Sequence, residues 1–169
     1  MLKTIIIFVM TNYIINGGKK LKGEITLNAS KNSAIAILLA SLLNDGATTI
    51  VNMPKIEEVF RIIEILESIG VKTAWHGKNL KVSTPEKLNL EKLDIEAALK
   101  TRIMILLIGI LVHKFKKFSL PFSGGCKLGK RTIAPHIYAL ENFGIKIKVK
   151  DNEYEISRNK LVPCGNLIM

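Results

Sequence analysis

Apolar residues along this chain gather in short blocks with polar turns between them, and the blocks come twice. Ile63, Leu66, Glu67, Gly70, Lys72 and Ser83 recur 74 residues later as Ile137, Leu140, Glu141, Gly144, Lys146 and Ser157. Val71, Leu80 and Val82 recur conservatively as Ile145, Tyr154 and Ile156. Each copy reads as a helix stopped by glycine, a strand, a polar turn and a second strand. The turns are His76-Gly77-Lys78-Asn79 and Lys150-Asp151-Asn152-Glu153. Upstream, Lys31 opens an apolar helix over Asn32 to Leu43, and Arg102 opens another over Ile103 to Val112. Each leads to a strand ending in proline, Thr48 to Pro54 and Lys117 to Pro121. The pattern predicts an α/β unit of strand, helix, strand, helix, strand, strand, present twice, with Arg158 to Met169 as the start of a further unit. Such arrays need all their copies to bury a core, so an incomplete one leaves apolar faces uncovered.

The composition narrows the partners. Among 169 residues, 48% are hydrophobic and 23% charged, enough for a core. The net charge of +11 points to acidic partners: nucleic acid, an anionic surface or phosphorylated metabolites. Nucleic acid is the weakest of these readings, because no recognition-helix motif occurs and no aromatics interleave with the cations. The apolar run before Met10 is too short for a signal peptide and lacks a cleavage site. Ile103 to Val112 is about half a membrane span. Two cysteines in unlike contexts make no disulfide framework. A cytoplasmic protein without membrane or nucleic-acid partners is expected.

Charge is concentrated where the candidate chemistry lies. From Ala97 to Leu140 there is no Asp or Glu, while Lys100, Arg102, Lys114, Lys116, Lys117, Lys127, Lys130 and Arg131 all fall inside. Within that run stands Ser123-Gly124-Gly125-Cys126-Lys127-Leu128-Gly129-Lys130-Arg131. Glycines let the backbone approach a ligand, and nearby cations favour a thiolate and an anion. A small buried hydrophobe is the commoner fate of a free cysteine, and Cys164, lacking this setting, reads that way. Arg131 suits bidentate phosphate binding. Lys31 and Asn32 open a helix, where free N–H groups and the dipole attract anions, although a solvated lysine beside a cap has the same look. His113 and His136 read as packing residues. No zinc-type spacing occurs, and the glycine loop lacks the P-loop ending, so no metal or cofactor is expected.

Two segments carry a family likeness. Leu21-Lys22-Gly23-Glu24-Ile25 through Ser30-Lys31-Asn32-Ser33-Ala34, and Gly124 to Arg131, resemble the N-terminal part of UDP-N-acetylglucosamine enolpyruvyl transferases (1-carboxyvinyltransferases), a likeness running from Tyr13 to Arg158. The resemblance implies transfer of enolpyruvate from phosphoenolpyruvate to the 3-hydroxyl of UDP-N-acetylglucosamine with release of phosphate, the first committed step of peptidoglycan synthesis. It implies Cys126 as the general acid. It assigns phosphoenolpyruvate to Lys31, Asn32 and Arg131, and the nucleotide sugar to Arg102, Arg131, Thr132, Ile133, Ala134 and Pro135. The implied fold is an inside-out α/β barrel of repeated βαβαββ units, here incomplete.

The chain departs from the family pattern in four ways. It is less than half the family's length. Thr132 and Ala134 stand where the family has proline and an acid, and Phe122-Ser123 is an insertion ahead of the glycine loop. Finally, Met10-Thr11-Asn12-Tyr13 looks like a family start, which marks 1–9 as a misassigned extension and 10–169 as a truncated N-terminal part. The expected function is therefore the transferase as a truncated or split chain, with a separately encoded C-terminal half as partner. The alternative is an inactive fragment that binds nucleotide sugar or that half.

Overall fold

The computed structural model describes residues 14, 16–18, 20, 22–101, 104–122, 133–150 and 153–165. After an extended lead-in, helix α1 (Lys31–Ala40) tightens into a 3-10 turn over Ser41–Leu43, where the Ser41 hydroxyl donates to the Leu38 carbonyl at 2.6 Å. Strand β1 (Gly46–Ile50), helix α2 (Glu57–Ser68) and the hairpin β2 (Lys72–His76) and β3 (Asn79–Thr84) follow. A connector carries a 3-10 turn at Leu90–Lys92 and the short α3 (Ile95–Leu99). The second half has α4 (Met104–Lys114), β4 (Lys117–Pro121), α5 (Ala134–Asn142), β5 (Ile145–Lys150) and β6 (Glu153–Arg158).

Two three-stranded antiparallel sheets result, ordered β1-β3-β2 and β4-β6-β5. In both, the strand latest in sequence lies in the middle, so each half closes in the same way. Local details match as well. Gly70 and Gly144 end α2 and α5 at φ +104° and +82°, conformations that suit glycine. The chain leaving each sheet then crosses under that glycine turn. Asn89 donates its N–H to the Ile69 carbonyl at 2.9 Å, and Val162 donates to the Phe143 carbonyl at 3.1 Å.

Helices α1 and α4 are apolar on nearly every side and pack on each other. Helices of that kind belong in an interior. Leu38 and Leu39 of α1 join Leu107, Ile108 and Leu111 of α4 in one buried cluster, which takes in alternate residues of both sheets such as Leu80, Val82, Leu120 and Ile156. Lys114 ties the halves together from outside through a 2.8 Å ion pair with Asp45.

Three expectations change. The first-half strand is Gly46–Ile50 rather than Thr48–Pro54. It stops early because Asn52 takes a left-handed turn at φ +55°, with its N–H on the Asn79 side chain and the Met53 N–H on the Lys78 carbonyl. The strand expected ahead of α1 does not form among residues 22–30: Ile25 and Leu27 alternate as a strand would, but both are exposed. A lone strand has no ladder to satisfy its backbone groups. Ahead of α4 the described chain is also without a strand. There Asn89 accepts the Glu91 N–H and Asp94 accepts the Ala97 N–H, which satisfies the backbone as caps and turns instead.

Candidate functional site

Every described position picked out as a site residue sits where a helix begins. Ser30 caps α1, its hydroxyl accepting the Ser33 N–H at 3.4 Å, and its carbonyl accepts the Ala34 N–H. Lys31 and Asn32 are the first two residues of that helix, and Asn32 is exposed. Ile133, Ala134 and Pro135 occupy the start of α5. Ile133 is the cap position, its carbonyl accepting the His136 and Ile137 N–H groups. Ala134 and Pro135 are the first two residues of the helix. Proline fits there because the first-turn N–H it lacks would have no partner inside the helix. Arg102, Cys126, Arg131 and Thr132 lie outside the described residues. By sequence, Arg102 stands two positions before the first residue of α4.

The electrostatics of these starts are alike. Helices α1, α4 and α5 carry no acid in their first turns, whereas α2 has Glu57 and Glu58 and α3 has Glu96. Within their own first turns these three helices thus carry no acid to offset the positive dipole end.

One partner was not visible in the sequence. The Lys31 ammonium donates to a Glu58 carboxylate oxygen at 2.6 Å, across 27 residues, and so draws the N-termini of α1 and α2 together. Glu58 looks in sequence like any acid in a helix first turn, and only the tertiary fold shows whom it meets. Phe122 lies against Tyr154 of β6 with ring centroids 4.8 Å apart, so this residue packs on the sheet.

Three cavities lined by described residues lie elsewhere. One of about 700 Å³ separates residues 87–91 from the start of β4, and one of about 470 Å³ continues along β4 to Pro121. A third, about 450 Å³, sits between α4, α5 and residues 161–163. None of the three is lined by a described site residue. The described site is thus a pair of helix N-termini with an ordered lysine at one of them, not an enclosed pocket. Among the described residues no group of three His, Cys, Asp or Glu stands together to hold a metal ion, and no helix is long and apolar enough to cross a membrane. Cys164 is a half-buried free thiol, Trp75 lies half-buried on β2, and His113 and His136 are exposed.

Comparison with known proteins gives this geometry its context. Residues 15–160 match the family model described as EPSP synthase (3-phosphoshikimate 1-carboxyvinyltransferase). The chain is 37% identical over 155 residues to the UDP-N-acetylglucosamine 1-carboxyvinyltransferase of Borreliella burgdorferi, covering 90% of this chain and 36% of that protein. It is 38% identical over 142 residues to the enzyme of the same name from Endomicrobium trichonymphae, covering 83% and 34%. The chain therefore spans about a third of the length of these curated relatives. Among solved structures it resembles the enolpyruvyl transferase NikO from Streptomyces tendae, with a TM-score of 0.68 at 20% identity over 88% of this chain and 32% of that one. It also resembles an EPSP synthase from Acinetobacter baumannii, with a TM-score of 0.59 at 18% identity over 83% and 33%. At such identities the likeness is one of fold.

Proposed function

The chain belongs to the EPSP synthase family, a family of enolpyruvyl transferases, and from that premise we propose that it serves the transfer of enolpyruvate from phosphoenolpyruvate to the 3-hydroxyl of UDP-N-acetylglucosamine. Phosphate leaves in that reaction, and the product enters peptidoglycan synthesis in the cytoplasm. The observation that carries the reading is the helix start at Ser30-Lys31-Asn32, with no acid in its own first turn and its lysine paired to Glu58, found in a chain whose named relatives at 37% and 38% identity use that acceptor.

In this reading Lys31 and Asn32 receive the phosphate of phosphoenolpyruvate at the N-terminus of α1, together with Arg131. Arg102 and residues 131–135, at the starts of α4 and α5, hold the nucleotide sugar. Cys126 delivers a proton to the methylene carbon. The 3-hydroxyl oxygen bonds the neighbouring carbon as it gives up its proton, fixed positive charge stabilises the negative charge on the phosphate as its C–O bond breaks, and loss of a proton from the methyl carbon restores the double bond. The two sheets with the same strand order belong to two βαβαββ units of an inside-out barrel, each without its first strand among the described residues. The rest of the relatives' length, in the same or a separate polypeptide, supplies the further units and the facing domain.

Calorimetric titration with the two substrates tests the assignment. UDP-N-acetylglucosamine binds the chain, Arg102→Ala weakens it at least tenfold, and Lys31→Ala weakens phosphoenolpyruvate binding by a similar factor, about what losing one charge-assisted contact costs. Failure of both substrates to bind, or binding that neither substitution affects, overturns it. The observation that the chain spans about a third of its relatives favours a second reading, a fragment that binds nucleotide sugar without turnover. That reading predicts binding of UDP-N-acetylglucosamine and no phosphate release under any condition.

A further inference from the structure

We infer that Glu58 is a positioning residue for Lys31, an inference that rests on the assignment of Lys31 to the phosphate. A lysine in the first turn of a helix is repelled by the positive dipole end and, with four rotatable bonds, is hard to hold in place. Here the ammonium is pinned at 2.6 Å by a carboxylate 27 residues away. That carboxylate sits in the first turn of α2, where a negative charge is favoured by the dipole of its own helix. The pairing is selective. Arg61 takes up two other acids of α2, Glu64 at 2.9 Å and Glu57 at 3.9 Å, and Glu67 accepts the Thr73 hydroxyl, which leaves Glu58 to Lys31. Glu58 is also the more covered partner, its side chain 34% exposed against 54% for the lysine. An ion pair this open contributes little to stability. What it does is fix the direction of one ammonium donor, which leaves the other two for an anion at the N-terminus of α1. Ordering that would otherwise oppose phosphate binding is already in place.

Amine acylation read by mass spectrometry tests this on the whole chain, with Lys148, exposed on β5, as internal reference. Glu58→Gln raises the acylation rate of Lys31 relative to Lys148 about two- to fivefold, the strength range of a partly exposed ion pair. Glu58→Asp keeps the rate near that of the parent protein. Phosphoenolpyruvate protects Lys31 in all three proteins, at a concentration about two- to fivefold higher in Glu58→Gln and recovered in Glu58→Asp. The melting temperatures stay together, since a merely structural role would move melting and not protection. Equal acylation rates in the parent and Glu58→Gln overturn the inference. So does protection at an equal or lower concentration in Glu58→Gln, which would make the carboxylate a competitor of the phosphate. If phosphoenolpyruvate protects Lys31 in none of the three proteins, the phosphate assignment falls and this inference falls with it. Altered acylation rates would still separate that result from a missing ion pair.

Discussion

Two glycines show how far single residues matter here, because the same substitution acts in opposite directions on them. Gly109 lies inside α4 with nothing within 4 Å of where a Cβ would stand, beside the cavity between α4, α5 and residues 161–163. Gly109→Ala therefore stabilises the protein by about 1 kcal/mol, the difference in helix propensity. Gly144 has φ +82°, and a Cβ there would stand 2.7 Å from the Lys160 carbonyl. Gly144→Ala costs about 1–3 kcal/mol, the strain of a left-handed non-glycine residue, and the clash adds to it. Urea unfolding of both variants checks the signs. Sequence spacing alone identified Gly144 as the counterpart of Gly70, because a helix stop leaves a local mark. Glu58 could not be found that way, since its partner is 27 residues off and nothing in its own neighbourhood distinguishes it from Glu57.

At the scale of elements, α2 and α5 share matched residues toward their C-terminal ends and lie in different surroundings. Helix α2 buries Val59, Ile62, Ile63, Ile65 and Leu66, packing on α1, α3 and β2. Helix α5 buries none of its residues fully and rests mainly on β5. The matched pair Leu66 and Leu140 turns this into a measurement. Leu66→Ala, at a position with no exposure, costs about 2–5 kcal/mol. Leu140→Ala, at a half-covered position, costs under about 1.5 kcal/mol. Equal losses would mean that α5 is as well packed as α2. The apolar pattern made both helices readable in the sequence, along with the hairpins, whose turns the strand registers bracket at His76 with Asn79 and Lys150 with Glu153. The strands expected ahead of α1 and α4 do not form among the described residues. Alternation at Ile25 and Leu27 shows that a strand is possible, and only a partner edge makes it form.

Over the whole molecule, two halves share one buried core through α1 and α4, while Ile25, Leu27, Ile37, Leu43 and Leu106 remain exposed. Exposed apolar residues of this kind are open to contact with a further surface. Under the proposed function, the positive ends of α1, α4 and α5 would supply part of the field that the departing phosphate needs, and a facing domain the remainder. The central claim, that this chain provides the Lys31 and Cys126 side of an enolpyruvyl transferase, is tested most directly by phosphate release in a mixture. The chain would be combined with the C-terminal remainder of the Borreliella burgdorferi relative, produced separately, with that relative split at the same point as the control. The account predicts phosphate release from phosphoenolpyruvate that needs both polypeptides and UDP-N-acetylglucosamine, and that disappears in Cys126→Ala. A silent mixture beside an active split control, or release that persists in Cys126→Ala, would contradict it.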